Sequence, residues 1–139
     1  YFPSGITLAT VKHDSILVHT PSEPKVTLIK FWSSWSASHC SPCTHDLQRL
    51  QQYHTRYASD PRLNILSICI DPYTTNLSDY LAKNGFSFPV LLDDKFLLQN
   101  QLSIKNVPLT LLIAPNGQII YNSKNSRTDF DAALLKALE

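Results

Sequence analysis

The stretch VTLIKFWSSWSASHCSPCTHDL, residues 26–47, combines an apolar run, a close pair of cysteines and the start of an amphipathic repeat. The run VTLIKFW is β-branched or apolar except for one lysine, which predicts a buried central strand. After Cys40 and Cys43, the sequence THDLQRLQQYHTRYA repeats apolar or aromatic residues every three or four positions, which predicts an amphipathic helix. The cysteine pair therefore lies where a central strand passes into a helix.

That position, at the predicted start of a helix, suits Cys40 and Cys43 for thiol–disulfide chemistry. The N-terminus of a helix carries partial positive charge and unpaired N–H groups. A thiolate there is stabilised, so the thiol pKa falls below its usual value of about 8.5. The first cysteine would be exposed and attack a disulfide, and the second, three residues on, would resolve the mixed disulfide. Pro42 between them restricts the loop and suits a first helical turn.

Strands and helices alternate over the rest of the chain. The runs ITLATV (6–11) and SILVHT (15–20) predict a hairpin, and LNILSICI (63–70) predicts a second buried strand that contains Cys69 as a small hydrophobe. A helix is predicted over 76–85, with Asn76 as its N-cap and Gly85 as its stop.

The C-terminal third predicts a short extended piece, FPVLLD, and a short helix, DKFLLQNQLSI. A hairpin follows over 109–122, with its turn at Pro115-Asn116-Gly117. The sequence TDFDAALLKALE predicts a final helix, with Thr128 as its cap and Asp131 as the capping-box partner.

Length and composition limit the class of protein. A chain of 139 residues fits one domain, predicted over 1–139 with residues 1–5 as a loose N-terminal segment. The net charge of +1 gives no strong field toward nucleic acid or an anionic membrane. No apolar run approaches the roughly 20 residues that span a bilayer. The chain begins at Tyr1, so we expect a mature domain whose leader or anchor lies outside this sequence.

Pro108, in NVPLTLLI, is the second element with a possible role in chemistry. A central strand rejects proline, so Pro108 is expected at the start of a strand or in a special turn. A cis bond between Val107 and Pro108 would expose the backbone of Val107. That backbone could then pair with an extended substrate chain beside Cys40.

The order of these motifs resembles the thioredoxin fold, and more narrowly its extracytoplasmic TlpA/ResA/CcmG branch. TLIKFWSSW resembles that branch's FWAxWCxPC motif, and SICID, FSFPVLLDD and VPLTLLIAPNGQII resemble its later landmarks in the right order. The N-terminal thioredoxin-like domain of the PilB methionine sulfoxide reductase is also similar. The resemblance covers residues 6–138. It implies an α/β thioredoxin-like fold, with a central mixed β-sheet flanked by helices and an N-terminal β-hairpin.

The resemblance also implies roles for individual residues. Cys40 matches the nucleophile, Cys43 the resolving thiol, and Pro108 the cis-proline, while Trp35 is expected to form a wall of the site. Asp46 stands three residues after Cys43, where many family members have an acid near the active site. It could raise thiol pKa values and relay protons. Alternatively, it is a first-turn acid that favours the helix dipole.

One departure from the family leaves the register of the cysteines open. In the family the first cysteine directly follows the second tryptophan, but here Ser36 follows Trp35 and Cys40 comes four residues later. Either four residues are inserted before the active pair, or Ser36 occupies the nucleophile position, natively or by exchange. The offset of Asp46 from Cys43 favours the insertion.

His39 leaves a second alternative open, because it precedes the cysteine pair. With Cys40 and Cys43 it could bind copper or zinc. It could also be a solvent-exposed loop residue, or lower a thiol pKa when protonated.

The cysteine motif therefore predicts a thiol–disulfide oxidoreductase. The family resemblance implies that it reduces disulfides of partner proteins in the periplasm or another extracytoplasmic compartment, while the residues themselves leave the direction of transfer open. No cofactor and no metal are expected. The expected partners are protein disulfides and an upstream thiol donor, such as a membrane disulfide reductase; neither nucleic acid nor a membrane span is expected. The alternatives are a copper metallochaperone of the same fold and a redox-inactive binding module.

Overall fold

The computed structural model describes most of the chain, with side chains except at positions 41–44 and 97. The described residues are 2–3, 6–10, 14–18, 24–33, 41–70, 77–93, 97–104, 107–124 and 129–139.

Strands and helices alternate after an N-terminal hairpin, as the sequence predicts. In chain order the elements are β1 (Thr7–Thr10), β2 (Ser15–Leu17), β3 (Val26–Trp32), α1 (Ser41–Arg56), β4 (Leu63–Cys69), α2 (Leu77–Lys83), β5 (Val90–Leu92), α3 (Leu97–Gln101), β6 (Leu109–Ile113), β7 (Ile119–Asn122) and α4 (Phe130–Ala137).

The strands form one mixed sheet in the order β2–β1–β5–β4–β3–β6–β7. β3 is parallel to β4 and antiparallel to β6, and β4 is parallel to β5. The hairpin of β1 and β2 joins the sheet through an antiparallel pairing of β1 with β5. This arrangement confirms the predicted thioredoxin-like fold.

β3 is an interior strand between β4 and β6, and all seven of its residues are buried. Side chains alternate across a strand, so Leu28 and Trp32 lie on one face and Ile29 and Phe31 on the other. The first face packs against apolar residues of α1, α2 and α4. The second packs against α3 and the N-terminal hairpin. Cys69 is fully buried in the first cluster, which confirms its prediction as a small core residue.

Two helix ends test the predicted caps. Gly85 has a φ of 70°, and the N–H of Phe86 donates to the carbonyl of Leu81 at 2.9 Å, which confirms the predicted end of α2. The predicted cap of the last helix is wrong by one residue. Asp129, with extended backbone, is the N-cap of α4 and accepts from the N–H of Ala132. A carboxylate competes well with the hydroxyl of a neighbouring threonine for this position.

The expectation of a loose segment over residues 1–5 is wrong for Phe2. Its side chain is 4% exposed, and its N–H donates to the carbonyl of Gly117 at 2.6 Å. Burial of an aromatic ring stabilises the folded state, and this stabilisation holds Phe2 against the turn between β6 and β7. The predicted N-cap Asn76 lies outside the described residues.

Arg62 joins the start of β4 to the end of α4. Its guanidinium donates to both carboxylate oxygens of Asp60, and it also donates to the carbonyl of Leu138 at 2.9 Å. The guanidinium hydrogen bonds to Asp60, together with one from the backbone N–H of Arg62, hold the pKa of Asp60 at about 2, below its usual 3.8.

The inner face of α4 should carry most of that helix's contribution to stability. Leu134 is 1% exposed, whereas its neighbour Leu135 is 64% exposed. We expect Leu134→Ala to lower the free energy of unfolding by about 2–4 kcal/mol, because it leaves a cavity in the core. The matched control Leu135→Ala should change it by less than about 0.5 kcal/mol. Urea unfolding measures both, and equal effects would contradict the assigned face of α4.

Arg62→Gln should return the pKa of Asp60 from about 2 toward 3.8, as measured by NMR titration of its carboxyl carbon. In the wild-type protein the unfolded chain binds more protons between these two values, so stability falls as pH drops through that window. The stabilising contribution is complete above pH 3.8, and Arg62→Gln should remove it. An unchanged Asp60 titration in the variant would show that Arg62 is not the cause.

Candidate active site

Two of the predicted site residues, Val107 and Pro108, lie at one end of the sheet. Phe31, near the end of β3, pairs with Leu109, the first residue of β6. Pro108 directly precedes Leu109, so it lies at the end where β3 leads toward the cysteines. The peptide bond between Val107 and Pro108 is cis, as predicted. Val107 packs against the core, and Pro108 is exposed.

The cysteine motif opens α1, as the sequence predicts. The helix begins at Ser41, so Pro42 and Cys43 are its second and third residues. Proline fits this position because the first N–H groups of a helix have no partner within it. The side chains of Pro42 and Cys43, and the whole of Trp35, Ser36, His39 and Cys40, lie outside the described residues. The register of the nucleophile therefore stays a prediction.

Lys30 is the charged residue within the apolar run of β3, and it is 7% exposed. Its ammonium forms an ion pair with Asp46 of α1 and donates to Oγ1 of Thr110 on β6 at 2.8 Å. Lys30 and Thr110 are opposite each other in the antiparallel register of β3 and β6. A buried ammonium is stable only with such partners, so this cluster fixes α1 against two strands.

Burial lowers the pKa of Lys30 below its usual 10.5. The hydrogen bond and charge of Asp46 act in the opposite direction, while the cations Arg49 and Lys124 lower this pKa further. Lys30 thus lies in a partly desolvated region with more than one neighbouring positive charge.

The contacts of Asp46 separate the two roles considered for it. Asp46 is beyond the first turn of α1, which contains no acidic residue. The helix-dipole role therefore loses its basis, since the dipole effect falls off within the first turn. Asp46 is instead 29% exposed beside Lys30, three residues after Cys43. Residues three apart share a helix face, so Asp46 is on the face that also carries Cys43.

A cavity of about 330 Å³ brings Asp46 and Pro108 to common walls. Its floor consists of β3 and β6, α1 forms one side, and the end of β7 with the first residue of α4 forms the other. The lining residues are Leu28, Lys30, Asp46, Arg49, Leu50, Tyr53, Pro108, Thr110, Tyr121, Ser123, Lys124 and Phe130.

Aromatic side chains close the far side of this cavity. The ring of Phe130 lies edge-on to Tyr53 and Tyr121, with centroid separations of 5.3 and 5.4 Å. The hydroxyl of Tyr53 donates to Asp131, and a hydrogen bond to Tyr53 raises the pKa of Arg49. Burial raises the pKa of Tyr53 itself. These contacts tie α4 to α1 across the cavity.

The structure adds residues that the sequence analysis did not select, chiefly Lys30, Thr110, Arg49 and Lys124. A lysine inside an apolar strand was a visible signal, because an ammonium at a buried position must find a partner. Thr110 and Lys124 carry no comparable signal, since their position depends on how β6 and β7 fold against β3.

Neither a cluster of metal-ligand side chains nor a membrane-spanning helix is found in the described part of the chain. Within those residues, no group of three or more His, Cys, Asp or Glu side chains is arranged to hold a metal ion. The proposed ligands His39, Cys40 and Cys43 have no described side chains. Among the same residues, no helix has the length and apolar character required to cross a bilayer.

Asp46→Asn should lower the pKa of Lys30 still further, because it removes the main group that raises it. NMR titration of the lysine side chain measures this shift. The variant should also lose about 1–3 kcal/mol of stability, less than a fully buried pair because Asp46 keeps 29% exposure. Asp79→Asn on α2 is the control and should leave Lys30 unchanged. A wild-type Lys30 that titrates at or above 10.5 would contradict its assigned burial.

Comparison with known proteins agrees with the fold and the motif order. A family model described as thioredoxin-like matches residues 23–119. The chain is 25% identical over 120 residues to sporulation thiol-disulfide oxidoreductase A of Bacillus subtilis, covering 84% of this chain and 68% of that protein. It is 23% identical over 95 residues to thiol-disulfide oxidoreductase ResA of Geobacillus thermodenitrificans, covering 68% of this chain and 52% of that protein.

Solved structures show the same fold. StoA of Bacillus subtilis aligns with a TM-score of 0.69 and 24% identity over 84% of each chain. A thiol-disulfide oxidoreductase from Bacteroides fragilis aligns with a TM-score of 0.78 and 20% identity, covering 99% of this chain and 98% of that one. The predicted resemblance is confirmed: the chain belongs to the thioredoxin-like family and is related to the ResA and StoA oxidoreductases.

Proposed function

We propose that this protein is a thiol–disulfide oxidoreductase that reduces disulfides of partner proteins through Cys40 and Cys43. The observation that carries the proposal is the placement of the cysteine motif. Its second cysteine is in the first turn of a 16-residue helix that follows the central strand, at the end of the sheet where Pro108 directly precedes β6. The names of the relatives, all thiol-disulfide oxidoreductases, support the same activity.

The chemistry transfers two electrons from the cysteine pair to the partner. The thiolate of Cys40 attacks one sulfur of the partner disulfide, and the second partner sulfur leaves as a thiolate that takes up a proton. The thiolate of Cys43 then attacks Cys40 in the mixed disulfide and releases the other partner thiol. The partner is reduced, the Cys40–Cys43 pair is oxidised, and an upstream dithiol donor restores it. The positive end of α1 stabilises the thiolates in this sequence.

Asp46 and Lys30 are suited to the proton movement that Cys43 requires. Cys43 must lose its proton before it attacks, and Asp46 is three residues further along the same helix. Its ion pair with Lys30 holds the carboxylate in place at the wall of the cavity. We assign Asp46 as the group that accepts the proton of Cys43, which develops the relay role considered for it from the sequence.

The setting we propose is the periplasm or another extracytoplasmic compartment, with protein disulfides as substrates. A thiol donor, such as a membrane disulfide reductase, would return the pair to the dithiol state. The resemblance to the extracytoplasmic TlpA/ResA/CcmG branch, to which the ResA relatives belong, supports this setting.

Reduction of a protein disulfide by the purified protein tests the function. The wild-type protein should reduce insulin with dithiothreitol as donor, and Cys40→Ser should lower this rate to the uncatalysed level. Cys43→Ser should instead accumulate a mixed disulfide between Cys40 and the substrate, visible by mass spectrometry, because the resolving thiol is missing. Cys69→Ala is the matched control and should retain activity, since Cys69 is buried in the core.

The reduction potential of the pair tests the direction of transfer. A reductant should have a potential nearer to the roughly −270 mV of thioredoxin than to the roughly −120 mV of the oxidant DsbA. A Cys40→Ser variant with full activity would overturn the assignment of the nucleophile. A wild-type protein without activity, in the presence of fully reduced cysteines, would overturn the proposed function.

A further inference from the structure

The cavity beside Pro108 carries an excess of positive charge. Of its lining residues, Lys30, Arg49 and Lys124 are cationic and Asp46 is anionic. A further carboxylate, that of Asp131, interacts with the cavity residues Tyr53 and Arg49. Even when Asp131 is included, the cations outnumber the carboxylates.

The charge of the cavity is divided between a buried ion pair, Lys30 with Asp46, and two exposed cations, Arg49 and Lys124. Lys30 is buried, and both Arg49 and Lys124 lower its pKa, which places all three cations within electrostatic range of one another. An anion entering the cavity would reduce this repulsion and would interact more strongly than in bulk water, because the walls include apolar and aromatic side chains. The cavity therefore favours a negatively charged occupant.

Size and hydrogen-bonding groups narrow the choice of occupant. About 330 Å³ admits a single side chain of a peptide or a small organic acid. Arg49 can bind both oxygens of a carboxylate, which suits a planar acid better than a single point charge would. Ser123 lines the same wall, and its Oγ accepts from the N–H of Thr110 at 2.9 Å. A hydroxyl that accepts one hydrogen bond can still donate another.

The position of Pro108 favours a peptide side chain over a small molecule. Pro108 lines the cavity and is also the exposed residue at the edge where, under the proposed function, the substrate chain lies. When the substrate's reactive cysteine is at the active site, the residue one or two positions from it in the substrate chain would therefore lie at the mouth of the cavity. We propose that the cavity receives the carboxylate of an acidic residue flanking the disulfide cysteine, so that the protein prefers acidic disulfide substrates. This inference rests on the proposed function.

Symmetric disulfide dimers of three hexapeptides test the preference. The peptides differ only in the residues beside their cysteine, which are Glu, Gln or Lys, and chromatography measures their reduction by the wild-type protein. We expect the Glu peptide to have a kcat/KM about five- to tenfold above that of the Gln peptide, with the Lys peptide slowest. High salt should shrink these differences, since Arg49 and Lys124 are exposed and their charges are screened by ions.

Two variants locate the preference in the cavity. Lys124→Gln and, separately, Arg49→Gln should each bring the ratio of Glu to Gln peptide rates toward one. Lys83→Gln removes an exposed cation from α2, outside the cavity, and should leave both the ratio and the activity unchanged.

The outcomes distinguish this inference from the function on which it rests. Equal rates for the three peptides, or a preference that survives both cavity variants, would overturn the inference while leaving the oxidoreductase function intact. A wild-type protein that reduces none of the peptides and no insulin would overturn both.

Discussion

The contacts of the buried Lys30 ammonium with Asp46 and Thr110 form the interaction on which the rest of the site depends. A charge buried in the middle of a sheet is costly unless its partners are held in place, and here they come from a neighbouring strand and a helix. The position of α1 relative to β3 and β6 is thereby specified by more than apolar packing. Because α1 also carries Cys43, the same cluster sets where the cysteine motif meets the end of the sheet.

Much of the fold could be predicted because its signals are local and periodic. The apolar run of β3 and the repeat that contains Leu47 and Leu50 predict a strand and a helix without reference to distant residues. The position of Pro108 just before β6 was also predictable, because proline has few places in a central sheet, whereas its cis peptide bond was implied by the family resemblance. The error at the last helix has a local cause: Thr128 and Asp129 are both good caps, and one residue separates the two possibilities.

The composition of the cavity could not be predicted in the same way. Lys30 and Thr110 are 80 positions apart, and their contact depends on the register between β3 and β6. Arg49 and Lys124 would each be interpreted from sequence as solvated surface charges. Only the assembled sheet shows that they face the same space as Lys30. The substrate preference of such a site is therefore a property of tertiary structure, while its reaction type is largely visible in the cysteine motif.

The hydrogen bond from Arg62 to the carbonyl of Leu138 holds the last residues of the chain beside the start of β4, and this position suits Glu139 for attaching the protein to other materials. β3 pairs with the start of β4 at one end of the sheet and with the start of β6 at the other. Seven strand residues separate these ends, or roughly 20 Å. A dye, bead or sensor surface joined after Glu139 would therefore leave from the end remote from Pro108. Such tethering would keep the reactive edge open to bulky proteins.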